Sequence, residues 1–414
     1  MPAKVSDHGT TLLSVDFEPY ESVILTVENR KQDYSVTDFG AVGDGIKVNT
    51  KAIQSAIDKA YADGGGRIVV PQGTFMSGAL FFKPGVDLYV SKDAVLKGIV
   101  DPTAYPVIPT RFEGIERMWK SAFLNFNNSE GVIVTGEGTI DGSGVIWEII
   151  PFGTSGRPRL ICFTNCNGGK ISGLHLRDQA SWCLHVLYTS GFTVDSLDIR
   201  AEHTIPSSDG LDIDSSDDVQ VANTYFEAND DCISIKSGKD EDGRRVARPS
   251  ENIVIENCRF GYGHGGVAFG SEISGDIRHV LIRNCTFGNA NRSLVRFKSQ
   301  PSRGGVVEDI EYRDITVDNV ESVFDINTRW RMVPPLAPPV DKPTQLKNIR
   351  IVNLKGTCQS AGSFSGDEYS LKDSFHFESC NLTAQKSLLV SGYKDLDFRG
   401  LEIIVPEGNP IVFK

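Results

Sequence analysis

"IVIENCRF" (253–260) and "VLIRNCTF" (280–287) match position for position. Each holds two short alternating apolar segments separated by a polar pair, Glu-Asn in one and Arg-Asn in the other. Side chains alternate across a strand, so each stretch reads as two strands joined by a turn. The pattern recurs outward in both directions. "GKISGLHL" (169–176), "FTVDSLDI" (192–199) and "VQVANTYF" (219–226) precede it; "IEYRDITV" (310–317), "IRIVNLKG" (349–356), "FHFESCNL" (375–382) and "LDFRGLEI" (396–403) follow. The second apolar position falls at Ile171, Val194, Val221, Ile255, Ile282, Tyr312, Ile351, Phe377 and Phe398, with gaps of 23, 27, 34, 27, 30, 39, 26 and 21 residues. Periods of this size mark a solenoid or array. No helix-period segment separates the units, so helical and leucine-rich repeats fit poorly.

The expected fold is therefore all-β: a parallel β-helix whose coils stack at the strand spacing with like residues inward. Cys258, Cys285 and Cys380 share the inward slot that Leu174, Leu197, Ile315, Leu354 and Leu401 fill elsewhere, so they read as small core hydrophobes. No Cys-x-x-Cys pair suggests zinc. In "NTKAIQSAIDKAYADGGG" (49–66), Thr50 or Asn49 can cap a helix over about 50–63. Its Ile53, Ile57 and Ala60 form one stripe, and it would close the open N-terminal end of the solenoid. This gives a parallel β-helix catalytic domain over 33–414 and an N-terminal extension, 1–32, of open role that includes the strand-like "ESVILTVE". The Pro-rich "RMVPPLAPPVDKP" (331–343) accounts for the longest gap and reads as a surface loop.

The chain has 414 residues, and 42 Lys and Arg against 54 Asp and Glu leave a net charge of −12. That balance argues against nucleic acid as a partner. No stretch is long and apolar enough to span a membrane as a helix. "MPAKVSDHGT" lacks the pattern of a signal peptide, which predicts a cytosolic chain or one trimmed of its leader.

Polar departures from the repeat mark the candidate site. "NDDCISIK" (229–236) sets two acids at a bend before an apolar run. Asp230 and His264 each lie 9 residues beyond their unit's second apolar position, so they should stack one rung apart. Asp209 lies 15 beyond Val194 and Arg296 lies 14 beyond Ile282; polar inserts ("TIPSS", "NANRS") can absorb the difference. Four coils then bring Asp209, Asp230, Asp231, His264, Arg296 and Lys298 to one face, over roughly 14 Å at ~4.8 Å per rung. Arg296 and Lys298 are i, i+2 and point the same way. One carboxylic acid and one carboxylate suit glycoside hydrolysis, crowding raises at least one pKa, and the two cations suit a substrate carboxylate. "SSDD" (215–218) is an equally acidic pair with no such partners and reads as a turn.

"SSDGLDID" (207–214), "NDDCISIKSG" (229–238), "GYGHGGVAFGSE" (261–272) and "VRFKS" (295–299) occur in the order found in the polygalacturonase family, glycoside hydrolase family 28, which this chain resembles. "FGAVGDG" (39–45), "GTIDGSG" (138–144) and "SWCLHV" (181–186) extend the likeness. The resemblance implies a right-handed parallel β-helix that hydrolyses α-1,4-galacturonate linkages of pectic chains with inversion and without metal or cofactor. It implies Asp230 as general acid, Asp209 and Asp231 positioning and activating water, and His264 beside the acid. Arg296, Lys298 and His185 would bind substrate. Inversion implies acid and base about 6.5–9.5 Å apart. Ser207-Ser208 and Asn229 stand where the family commonly has Asn-Thr and Gly, which alters the pocket wall. The insert "GKDEDGRRVARPSENI" (238–253) resembles the chain-end loop of exo-acting members, with Arg244 and Arg245 gripping substrate. A rhamnogalacturonan or decorated-oligomer hydrolase, a calcium-dependent pectate lyase and a non-catalytic pectin-binding β-helix are the alternatives.

Overall fold

The computed structural model describes residues 31–147, 156–288, 291–331 and 337–414, with two short strands before them. The chain divides into two units, Met1–Lys31 and Gln32–Lys414. In the first, Lys4–Val5 pairs antiparallel with Thr11–Leu12; "ESVILTVE" and residues 332–336 lie outside the described residues.

In the second unit the repeat becomes one continuous parallel ladder. Ile171, Val194, Val221, Ile255, Ile282, Tyr312, Ile351 and Phe377 are each the direct partner of the next. All eight are buried, each apolar side chain contributing about 1.5–3 kcal/mol by leaving water. The column also runs back through Val134, Leu88 and Ile68 to Tyr34, so the solenoid begins well before residue 170. Phe398 sits outside the strands but continues the stack, its ring 5.8 Å from that of Phe377. The polar pairs turn the chain because their second residue takes the left-handed conformation. Asn223, Asn257, Asn284, Asp314 and Asn353 have φ of 52, 55, 54, 57 and 53°, a region Asn and Asp tolerate best among residues with a Cβ. The eight cysteines are buried and unpaired, as the inward slot requires.

The helix Thr50–Ala62 buries Ile53, Ala56, Ile57 and Ala60. Asn49 stands before it without capping it; its side chain instead bridges Val42 and Lys47. Two insertions shape the outer face of the sheet that carries the candidate residues. One is an antiparallel hairpin pairing Val107–Phe112 with Ile115–Lys120. The other is the helix Asp240–Val246, within the stretch read above as a loop. The hairpin is pinned at its turn: Lys239 N–H donates to the Gly114 carbonyl (2.9 Å) and Glu116 N–H to Asp242 Oδ2 (3.0 Å). Inside, Arg111 donates to Asp214 Oδ1 (2.9 Å) and Ser215 Oγ (2.7 Å), all buried. Phe112 stacks between Trp119 and Trp182 at 4.4 and 4.5 Å. Arg111→Met should therefore leave Asp214 buried with less compensation and cost on the order of 3 kcal/mol, measured as a lower denaturant midpoint at unchanged slope.

Candidate active site

Three carboxylates meet where two consecutive coils bend into the sheet. Gly210 N–H donates to the Asp231 carbonyl (3.0 Å) and His264 N–H to the Asp230 carbonyl (2.9 Å), which locks the three bends in register. One oxygen from each of Asp209, Asp230 and Asp231 lies within 4.8 Å of the others. Asp209 and Asp231 are buried, whereas Asp230 keeps about a third of its side chain exposed (31%). The expected alignment of Asp230 with His264 is present: His264 Nδ1 lies 3.6 Å from Asp230 Oδ1.

Asp231 has both oxygens taken. Arg296 Nη1 donates to Oδ1 at 2.8 Å and Lys298 Nζ to Oδ2 at 2.6 Å. Burial opposes the charge on Asp231, yet Lys298 and Arg296 hold its carboxyl well below the usual range. Asp209 goes the other way. Burial, with the charges of Asp212 and Asp230 beside it, pushes its carboxyl well above the ordinary value. The arrangement thus sets a carboxylate whose proton affinity is lowered beside one whose proton affinity is raised.

The glycine after His264 follows from this packing. A Cβ on Gly265 would lie 2.5 Å from Asp231 Oδ1 and 3.0 Å from Arg296 Cδ, so only glycine lets the clamp close. Gly265→Ala should lower kcat by about 10²-fold, because a displacement near 1 Å at a reacting group has that effect. A much smaller change in melting temperature than in kcat would place the loss in the geometry.

Ser208 and Asn229, read above as changes to the pocket wall, instead tie the two catalytic bends together. Ser208 Oγ donates to the Ile205 carbonyl (2.8 Å) and accepts from Asn229 N–H (3.1 Å), and the Asn229 amide reaches the same carbonyl (3.1 Å). Gln179, buried, donates to the carbonyls of Ser208 and Asp209 at 2.9 and 3.2 Å. Asp217 and Asp218 start a strand, with Asp217 paired to Arg248 at 3.2 Å; they stay outside the cluster.

Several expectations need correction. His185 is fully buried against Arg159, Cys162 and Asp214, so it braces the sheet and does not reach a substrate. Arg244 donates to the carbonyls of Ser302 and Arg303 (3.0 and 2.9 Å), and Arg245 pairs with Asp242 and Glu116. These contacts tie Arg244 to the loop at Ser302–Arg303 and Arg245 to its own helix and the hairpin. Against the separation of about 6.5–9.5 Å between carboxyl groups expected for inversion, the nearest oxygens of the three acids approach within 4.8 Å. Sequence reasoning passed over Arg111, Lys236 and Trp330. The Trp330 ring centroid lies 5.6 Å from Lys298 Nζ, beside a cavity of about 560 Å³ that Gln300, Pro301, Ser302 and Arg329 also line. "INTRW" carries no repeat signal that would have found it.

The spacing of the three acids could admit a cation, but both Asp231 oxygens already face protein cations. A hard divalent ion would compete with Arg296 and Lys298 for them, and calcium wants six to eight oxygens. The donor set fits proton chemistry better.

The family described as glycosyl hydrolases family 28 matches residues 67–390, which include every residue of the cluster. A probable polygalacturonase of Vitis vinifera is 32% identical over 71% of this chain, which spans 62% of that protein's length. An exo-poly-alpha-D-galacturonosidase of Dickeya chrysanthemi is 25% identical over 89% of this chain and 70% of its own. The solved structure of a hyperthermoactive exopolygalacturonase from Thermotoga maritima superposes with a TM-score of 0.77 at 27% identity, covering 94% of this chain and 92% of that one.

Proposed function

The chain belongs to glycosyl hydrolases family 28, and from that premise we propose that it hydrolyses α-1,4-linked galacturonate in pectic chains, with inversion, from a chain end. One observation carries the reading. A partly exposed carboxyl, Asp230, stands beside a buried carboxylate whose two oxygens are both held by cations.

Asp230 is the member of the trio that a glycosidic oxygen can approach, so it delivers the proton to the leaving group. In the proposed reactive arrangement Asp230 carries the proton for the leaving oxygen and Asp209 is ionised to act as the base. Water sits against Asp209 and Asp231. Asp231 orients it, and Asp209, whose raised affinity makes it the stronger base, takes the proton as the C–O bond forms. The glycosidic bond breaks with its electron pair on the oxygen that Asp230 protonates. His264 keeps the Asp230 carboxyl directed into the cleft.

The close spacing of the acids does not argue for a covalent intermediate. A nucleophilic carboxylate needs a free oxygen, and Asp231 has none. Asp209 is buried and is engaged as the base toward water. Direct displacement by water is the course left, and it inverts the anomeric carbon. For substrate, Arg296 has Nε on Asp325 (3.1 Å) and Nη1 on Asp231, leaving Nη2. Lys298 has donors beyond the one on Asp231. These remaining N–H groups suit a uronate carboxylate, and Trp330 offers a face for the sugar ring.

The hairpin supports action at a chain end. It packs along the strands that follow Asp209 and Asp231, with Arg111 on Asp214 and Phe112 on Trp182, and its turn is fastened to Lys239 and Asp242, which gives the face beside the trio a wall. The Dickeya and Thermotoga relatives are exo-acting by name, which agrees. A time course with a defined oligogalacturonide tests this: galacturonate monomer from the first sample is expected, and a mixture of oligomers overturns the exo reading. Turnover should persist in a chelator without unsaturated, ultraviolet-absorbing product; loss of activity there, or such a product, would point to a lyase.

A further inference from the structure

Behind the catalytic trio lies a second buried group of charges that the mechanism above does not use. Lys236 ends the strand that Asp231 begins. Its Nζ lies 3.2 Å from Glu272 Oε2 and 3.5 Å from Asp212 Oδ1, and 4.8 Å from the centre of the Trp182 ring. The side chains are at most 5% exposed. Asp212 lies three residues after Asp209, and neither of its oxygens accepts a hydrogen bond among the described residues. Its compensation is therefore electrostatic, and Lys236 is its nearest cation. Lys236 is not its alone, because Glu272 competes for the same ammonium.

We propose that Lys236 is a positioning residue, shared between Asp212 and Glu272, that sets the charge Asp212 presents to Asp209 and so the readiness of the trio to give and take its proton. The proposal rests on the hydrolase reading for its consequence, but not for its electrostatics.

The groups facing this centre come from every element around it. Asp212 and Asp214 stand on the strand Leu211–Asp214, and Asp209 on the bend before it. Asp231 and Lys236 share the next strand. Glu272 follows the strand Gly265–Gly270 and is itself stabilised by Lys236, Arg303 and Lys298. His185 faces Asp212 from the preceding coil, and Arg111 faces Asp214 from the hairpin. Within this set burial raises the Asp212 carboxyl, Lys236 and His185 draw it down and Glu272 pushes it up, for a net value of about 7. Lys236 keeps its charge despite burial because Glu272 and Asp212 face it. Asp212 therefore changes charge near neutrality, and its ionised form tightens the hold of Asp209 on a proton.

Two substitutions should act with opposite sign. Lys236→Met removes the cation, so the Asp212 titration should move up by about one pH unit or more. Glu272→Gln leaves Lys236 to Asp212, so the same titration should move down. Lys236→Arg should hold it near the wild-type position. The direct readout is carboxyl NMR of ¹³C-aspartate-labelled full-length protein, with the Asp209 and Asp212 signals assigned from the Asp→Asn variants. The second readout is the pH profile of kcat/KM on trigalacturonate, whose limb should move in the same direction as the Asp212 signal. Opposite shifts support the proposal; shifts of one sign in both variants, or none, overturn it. A generally damaged fold does not reverse sign, and if Lys236→Met fails to fold, the downward shift in Glu272→Gln decides alone. Opposite NMR shifts in a protein that hydrolyses no galacturonide support the electrostatic link and count against the hydrolase reading alone.

Discussion

Asp230→Asn should lower kcat on oligogalacturonides by about 10²–10⁴ while KM moves only slightly, the range general acid catalysis supplies. The substitution keeps the shape and removes the proton donor. Asp230 is partly exposed, with His264 Nδ1 3.6 Å away and the Asp209 and Asp231 carboxyls within 4.8 Å, so the variant relieves crowding among acids and should fold with near-native stability. Its loss then reads chemistry. Binding of an oligogalacturonide, measured by calorimetry, should survive. A variant that retains turnover would show that the proton comes from elsewhere; one that loses both turnover and binding would make Asp230 a binding group.

Lys298→Met should be damaging in a different way. Asp231 is fully buried and its Oδ2 is held by Lys298 at 2.6 Å. Removing one partner of a buried ion pair leaves charge uncompensated and costs about 3–5 kcal/mol. The pH dependence has a definite sign. The folded-state affinity of Asp231 for protons is depressed, so its contribution to stability is fully present above the unfolded carboxyl value of about 3.9 and is lost as pH falls below it. In Lys298→Met that depression shrinks. The stability gap between variant and wild type should be widest near neutral pH and close as the medium becomes acidic. Urea unfolding at several pH values measures it, and a gap that stays constant with pH would mean that Lys298 acts through packing. Activity should fall with stability, since Asp231 loses the partner that fixes its Oδ2 and with it the position of the carboxylate.

What could be read in advance follows from what repeats. Every coil must bury the same slot, so the Ile171-to-Phe377 column and the cysteine slot were legible from spacing alone. The equivalence of Asp230 and His264 came from the same ruler. Where the chain departs from the ruler, reading by position gave out. Arg244 and Arg245 sit in an insert, and a short helix with its own ion pairs decides where they point. Arg111 lies on a hairpin whose only signal was the absence of the repeat. His185 shares a strand position with Asp212, and nothing in "SWCLHV" says that a hairpin covers it. The coils before residue 170 were missed because their segments are separated by that same hairpin and by the capping helix.

The spacing of the acids carries the broader point. The nearest oxygens of the trio lie closer than the carboxyl separation expected from reaction type, and the course of reaction is better argued from which oxygens are free. With Asp231 clamped at both oxygens and Asp209 buried beside it as the base, water is the nucleophile in this account. Proton NMR of the earliest products from trigalacturonate, recorded before mutarotation, tests this most directly. Free galacturonic acid should appear first as the β-anomer, and an α-configured product at the earliest time point would contradict the account.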